Sequence, residues 1–183
     1  MWFPKHVVIL ATLPALSLGM KRRSTTDSFN LFAYGSSFGG LPLFYANGYA
    51  YIGEPNEANS TDAAVVSFTA NGNGVWTGAP NATNVTATAP SWSNVTIYVP
   101  ATGSDDTRIG FLSENDTATS DELVSGFRLY GSTATLIGGD GNLETLWYSL
   151  QVSKRVHALY WNDTTSGQAP VILRNKPASN PPN

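Results

Sequence analysis

Short runs rich in β-branched and aromatic residues recur along this chain, cut by Gly, Pro, Asn or Asp at intervals of roughly eight to twelve residues. No segment keeps apolar residues at helical spacing for three turns, so an all-β chain is the economical reading. Strands are expected near 29–34 (FNLFAY), 42–46, 49–53, 64–69, 74–77, 84–88, 94–99, 108–112, 125–130, 133–137, 144–152, 155–161 and 170–174. That rhythm predicts one domain, either an antiparallel β-sandwich of jelly-roll type or a closed barrel. No break in composition divides the chain, and no internal repeat is visible.

One stretch fixes register as well as type. In LPLFYANGYAYIG, residues 41–53, Asn47-Gly48 suits a type I′ turn, whose two central residues both need positive φ. A two-residue turn sets Ala46 opposite Tyr49, Tyr45 opposite Ala50, Phe44 opposite Tyr51 and Leu43 opposite Ile52. Leu43, Tyr45, Ala50 and Ile52 then share the natural core face, and Phe44, Ala46, Tyr49 and Tyr51 share the other. Three rings on one face could stack on a sugar, and cross-strand aromatic pairs equally stabilise sheets. As a saccharide platform the candidates are Phe44, Tyr49 and Tyr51, with Trp76 and Trp92 from neighbouring loops.

The ends speak of export. Residues 1–19 carry an early Lys5, an apolar run from Val7 to Leu18 too short to span a bilayer, and small residues Ser17 and Gly19, the pattern of a signal peptide. Lys21, Arg22 and Arg23 follow as a dibasic processing step within 20–23, giving an expected mature start near Ser24. The β domain is expected over 24–176, with a polar, proline-rich tail at 177–183 and no later membrane span or lipid-anchor tail. From residue 24 onward six basic residues face thirteen acidic ones, a net charge of −7, which argues against nucleic acid and anionic membrane as partners. There is no cysteine, so stability outside the cell must come from packing.

Six Asn-x-Thr sequons, at Asn59, Asn81, Asn84, Asn94, Asn115 and Asn162, mark expected N-glycosylation sites and therefore surface. Thr stands at the third position of every one, the better acceptor residue.

Catalytic signals are weak. GSSFG, residues 35–39, matches the nucleophile elbow G-x-S-x-G with Ser37 at its centre, yet Gly40, Leu41 and Pro42 cannot start the helix the elbow requires. His157, the sole histidine after the leader, alternates in facing with Val156 and Ala158 and is expected at a sheet surface. Glu144 is the one carboxylate expected on a strand, whereas glycosidases need two across a cleft. One histidine and no cysteine give zinc too few ligands, and the acidic turns lack the spaced oxygens of a calcium loop. The expectation is therefore no catalytic residue, no metal and no cofactor.

FNLFAYG, GLPLFYANGYAYIG, LYWN and PVILR together resemble small secreted proteins of filamentous ascomycete fungi. More distantly, the order F-x-x-x-A, GYAYIG, YV, IGF, GF resembles the fungal cell-wall protein family associated with phialide development. The resemblance implies a secreted, extracellular or wall-associated β-protein; it does not imply an enzyme. The sequence reading is thus an N-glycosylated, non-enzymatic protein acting by binding or as a structural component, with wall polysaccharide or a host surface component as partner. A lectin-like module and a polysaccharide-active enzyme built on Glu144 are the alternatives, and the oligomeric state is open.

Overall fold

The computed structural model describes residues 27–81 and 90–179. The expected leader and dibasic processing step, Asn84 and the expected strand at 84–88 lie outside the described residues. Fifteen strands follow in order: β1 (Phe32–Tyr34), β2 (Gly39–Ala46), β3 (Tyr49–Gly53), β4 (Ala64–Ala70), β5 (Trp76–Pro80), β6 (Val95–Pro100), β7 (Gly110–Leu112), β8 (Glu122–Leu123), β9 (Phe127–Tyr130), β10 (Thr133–Ile137), β11 (Leu143–Glu144), β12 (Trp147–Ser153), β13 (Val156–Trp161), β14 (Ala169–Pro170) and β15 (Ile172–Arg174). One 3₁₀ turn, Pro55–Glu57, joins β3 to β4.

The hairpin β2–β3 has the register its turn dictates, with Leu43 opposite Ile52 and Ala46 opposite Tyr49. Asn47 and Gly48 sit at φ 50° and 85°, the positive values a type I′ turn needs. From this hairpin the sheet forks. The upper half of β2 pairs with β4, and pairing then runs through β5, β6 and β7 back to Tyr49 of β3. Those six antiparallel strands, β2, β4, β5, β6, β7 and β3, close a barrel, so the sequence's alternative of sandwich or barrel resolves to the barrel.

The lower halves of the same two strands open a second arm. β1 pairs with the start of β2, and β13 with the end of β3. β12 follows β13, and residues 169–174 bridge the remaining gap, first against β12 and then against β1. The pairings therefore complete a second circuit on the shared hairpin. The switch falls at Val171, whose N–H donates to the Trp147 carbonyl at 3.0 Å, and it splits the expected strand at 170–174 in two. Similarly, 144–152 divides into β11 and β12, because Leu146 turns away to accept a bond from the Asn162 N–H at 2.7 Å. β9, β10 and β11 extend the second arm outward.

Gly53 makes the fork sterically feasible. It lies at φ 125°, and a Cβ there would run into the carbonyl oxygen of Arg155, which accepts the Glu54 N–H at 3.1 Å. At the opposite strand, Ile109 joins both arms: its carbonyl accepts from Ala50 and its N–H donates to Leu159, each at 3.0 Å.

Alternation places Leu43, Tyr45, Ala50, Ile52, Val66, Phe68, Trp76, Ile97 and Phe111 inward in the barrel, and rings fill it. Tyr45 lies 4.5 Å from Trp92 and 5.5 Å from Phe111, while Phe68 and Trp76 sit 6.1 Å apart, centroid to centroid. Gly78 is glycine for packing, since Val66 Cγ1 lies 2.5 Å from where its Cβ would stand. The second circuit buries Leu31, Ala33, Leu41, Leu159, Leu173, Trp147 and Trp161. There the two indoles meet edge to face at 4.7 Å, and Trp147 Nε1 donates to the Ala134 carbonyl at 3.0 Å.

Candidate functional site

The rings singled out in the sequence are mostly structural. Trp76 is 1% exposed inside the barrel, and Trp92 is buried at its end with its indole N–H on the Asp62 carbonyl at 2.8 Å. Neither offers a face to a ligand. Phe44 is fully buried, stacked on Tyr51 at 5.5 Å within a small outer cluster that includes Ala46 and Val156. Tyr49 and Tyr51 are half-buried, and Arg108 covers them, its guanidinium 3.9 Å from the Tyr49 ring centre and 5.2 Å from that of Tyr51. As a stacking platform this face is therefore largely taken. Burial of Phe44 against Val156 follows from β13, which the hairpin alone does not predict.

Arg108 is the residue the sequence reading missed there. Its Nε and Nη2 are buried without a hydrogen-bond acceptor, so the tyrosine faces supply what a carboxylate otherwise would. Tyr98, across the barrel's outer face, covers Gly110 and has its hydroxyl pKa raised, by burial first and by Glu122 next.

The cavity lies elsewhere. A pocket of about 590 Å³ opens at the lower mouth of the second circuit, lined by Ser37, Phe38, Gly39, Leu41, Gln151, Arg155 and His157. Each is placed by a distinct local feature. Ser37 and Phe38 sit in the tight turn between β1 and β2, closed by the Gly35 N–H on the Phe38 carbonyl at 2.9 Å. Gln151 and His157 are direct cross-strand partners on β12 and β13. Arg155 occupies the turn between those strands at φ 57° and pairs its Nη2 with Glu54 Oε1 at 2.5 Å.

His157 is half-buried where it lines this pocket. It faces the same side as Leu159 and Trp161, opposite Ile52, and its imidazole packs 4.6 Å from the Phe38 ring. Alternation with the apolar Leu159 and Trp161 was the available signal. Burial pushes its pKa below the ordinary histidine value, so the ring is neutral near pH 7.

The structure brings Ser37 and His157 to one pocket, but it does not build a triad. Residues after Ser37 form β2 rather than a helix, and among the described residues no carboxylate lines the pocket and no hydrogen bond joins the two side chains. Glu144 does have an acidic neighbour: its carboxylate and that of Asp140 both face Gly138. The two belong to one hairpin turn, not to opposite walls of a cleft, and Asn142 holds the Asp140 carboxyl below its usual range. Among the described residues no group of three or more His, Cys, Asp or Glu could hold a metal ion, and no helix is long and apolar enough to cross a membrane.

The described sequons gather away from the pocket. Asn59 neighbours Ser60, whose hydroxyl donates to Asn47 Oδ1 at the hairpin tip at 3.0 Å. Asn81 and Asn94 bracket the β5–β6 connection, and Asn115 follows β7, all at that same end of the barrel. Asn162 follows the end of β13, whereas the pocket lies at its beginning. Asn59, Asn94, Asn115 and Asn162 are exposed and Asn81 is half-buried.

Comparison with family models, with curated proteins and with solved structures finds no match to this chain.

Proposed function

We propose that this chain is a secreted, N-glycosylated, non-enzymatic protein of the fungal wall or extracellular space that acts by binding, with the pocket of the second circuit as its ligand site. The observation that carries the reading is polarity of placement. The pocket opens at the strand ends opposite those bearing the described sequons, so glycans on those asparagines would leave it accessible. Its volume falls in the range of small-ligand sites, about 300–1,000 Å³.

The lining favours the lectin-like version of this reading. A hydroxyl, an amide, a neutral imidazole and a guanidinium surround Phe38 and Leu41, which is the mixture of hydrogen-bonding and apolar surface that a sugar ring presents in complement. The test is retention of the secreted glycoprotein on fungal and host wall fractions. The double variant Gln151→Ala/His157→Ala should lose retention and Tyr49→Ala/Tyr51→Ala should keep it. Loss in the tyrosine variant alone would move the site back to the hairpin, and equal retention in all three would remove the pocket from the function.

A further inference from the structure

Resting on that reading, we infer that the pocket selects an acidic saccharide, a uronic acid residue whose carboxylate docks on Arg155 while Ser37, Gln151 and His157 meet its hydroxyls. Among the described residues Arg155 is the only charged side chain in the lining, although the chain from residue 24 onward is acidic overall. Its backbone is pinned from two sides. The Glu54 N–H bonds its carbonyl at 3.1 Å, and Gly53 packs against that same oxygen. The adjoining Lys154 is exposed and adds positive potential beside the mouth.

The pair with Glu54 does not occupy the guanidinium fully. It uses Nη2, and the two side chains are 44% and 40% exposed, so it is a solvated ion pair of small net value. A guanidinium carries five N–H donors in a planar fork, which leaves a face for a second carboxylate in the geometry arginine favours. A polyanion such as phosphate would call for several cations. Here one cation, engaged on one edge by Glu54, stands beside neutral donors and acceptors and an apolar floor of Phe38 and Leu41, which fits a ligand with one negative charge, several hydroxyls and a C–H face.

The experiment is calorimetric titration of the secreted glycoprotein with tri-galacturonate and tri-glucuronate, against neutral galactose and glucose trimers and against inorganic phosphate. Acidic trimers should bind, the neutral ones at least about tenfold more weakly, and Arg155→Gln should erase that difference with an unchanged circular dichroism spectrum. Glu54→Gln should hold or improve affinity, because it frees the guanidinium. Equal binding of acidic and neutral trimers, or phosphate competing as well as the uronates, overturns the acidic-sugar assignment while leaving a ligand pocket. If no saccharide binds and the imidazole resonance of His157 does not move with any of them, both this assignment and the pocket reading fail.

Discussion

The barrel and the second circuit share one hairpin, yet their interiors differ. The barrel is filled from end to end by rings and branched aliphatics, with even a glycine position, Gly78, taken up by Val66. The second circuit is equally apolar around Trp147 and Trp161 but changes at its lower mouth, where the same face carries Gln151, which is exposed, and His157, which is half-buried. Polar residues continuing a core face out to solvent are what a closed core avoids and an open site uses. The difference teaches that in this molecule one arm supplies stability and the other supplies a surface, while the hairpin belongs to both.

Substitutions can break that contrast in order of size. Phe68→Ala, in the barrel, should cost about 3–5 kcal/mol, a large part of a typical domain's stability, and urea unfolding should show it. Gln151→Ala at the mouth should shift the same curve by less than about 0.5 kcal/mol. An equal effect at the two positions would mean that the mouth is core after all.

Gly53→Ala comes next. It strains a position at φ 125° and drives a methyl into the Arg155 carbonyl, so a loss of about 1–3 kcal/mol is expected. Because Arg155 must move, ligand binding should fall along with stability; a stable, fully binding variant would show that the fork is looser than described.

Two arginines sharpen the comparison further. Arg108→Gln removes a guanidinium held between Tyr49 and Tyr51 and should cost about 1 kcal/mol. Arg155→Gln breaks a solvated pair and should cost about 0–1 kcal/mol, with its effect falling on binding instead. The smallest effect is the pH dependence from His157. Its pKa is lower in the folded than in the unfolded chain, so the unfolded state takes up the proton first. Stability should be intact above the unfolded value near 6.5 and fall as pH drops through it toward the folded value. His157→Gln should flatten that part of the stability–pH profile.

Local chemistry made much of this legible in sequence. Asn47-Gly48 dictated the hairpin register, and alternation correctly placed Leu43, Tyr45, Ala50 and Ile52 on the core face. What local pattern could not convey was which strands would cover the other face. Phe44 is buried because Val156 comes from more than a hundred residues away in sequence, and Arg108 reaches Tyr49 through the same long-range junction. The pocket was hidden for a like reason: Ser37 and His157 are brought together by the closing of the second circuit, and neither stretch alone announces it. The breaks at Leu146 and Val171 were likewise invisible, since each marks a passage between neighbours and not a loss of strand-forming residues.

The most direct test of this division is hydrogen–deuterium exchange on the purified protein, with and without the uronate trimer proposed as the ligand of the pocket. The barrel strands β4 to β7 should exchange slowly in both states, and added ligand should protect residues 35–41 and 151–157. Protection centred on Tyr49 and Tyr51, with 151–157 unchanged, would contradict the account.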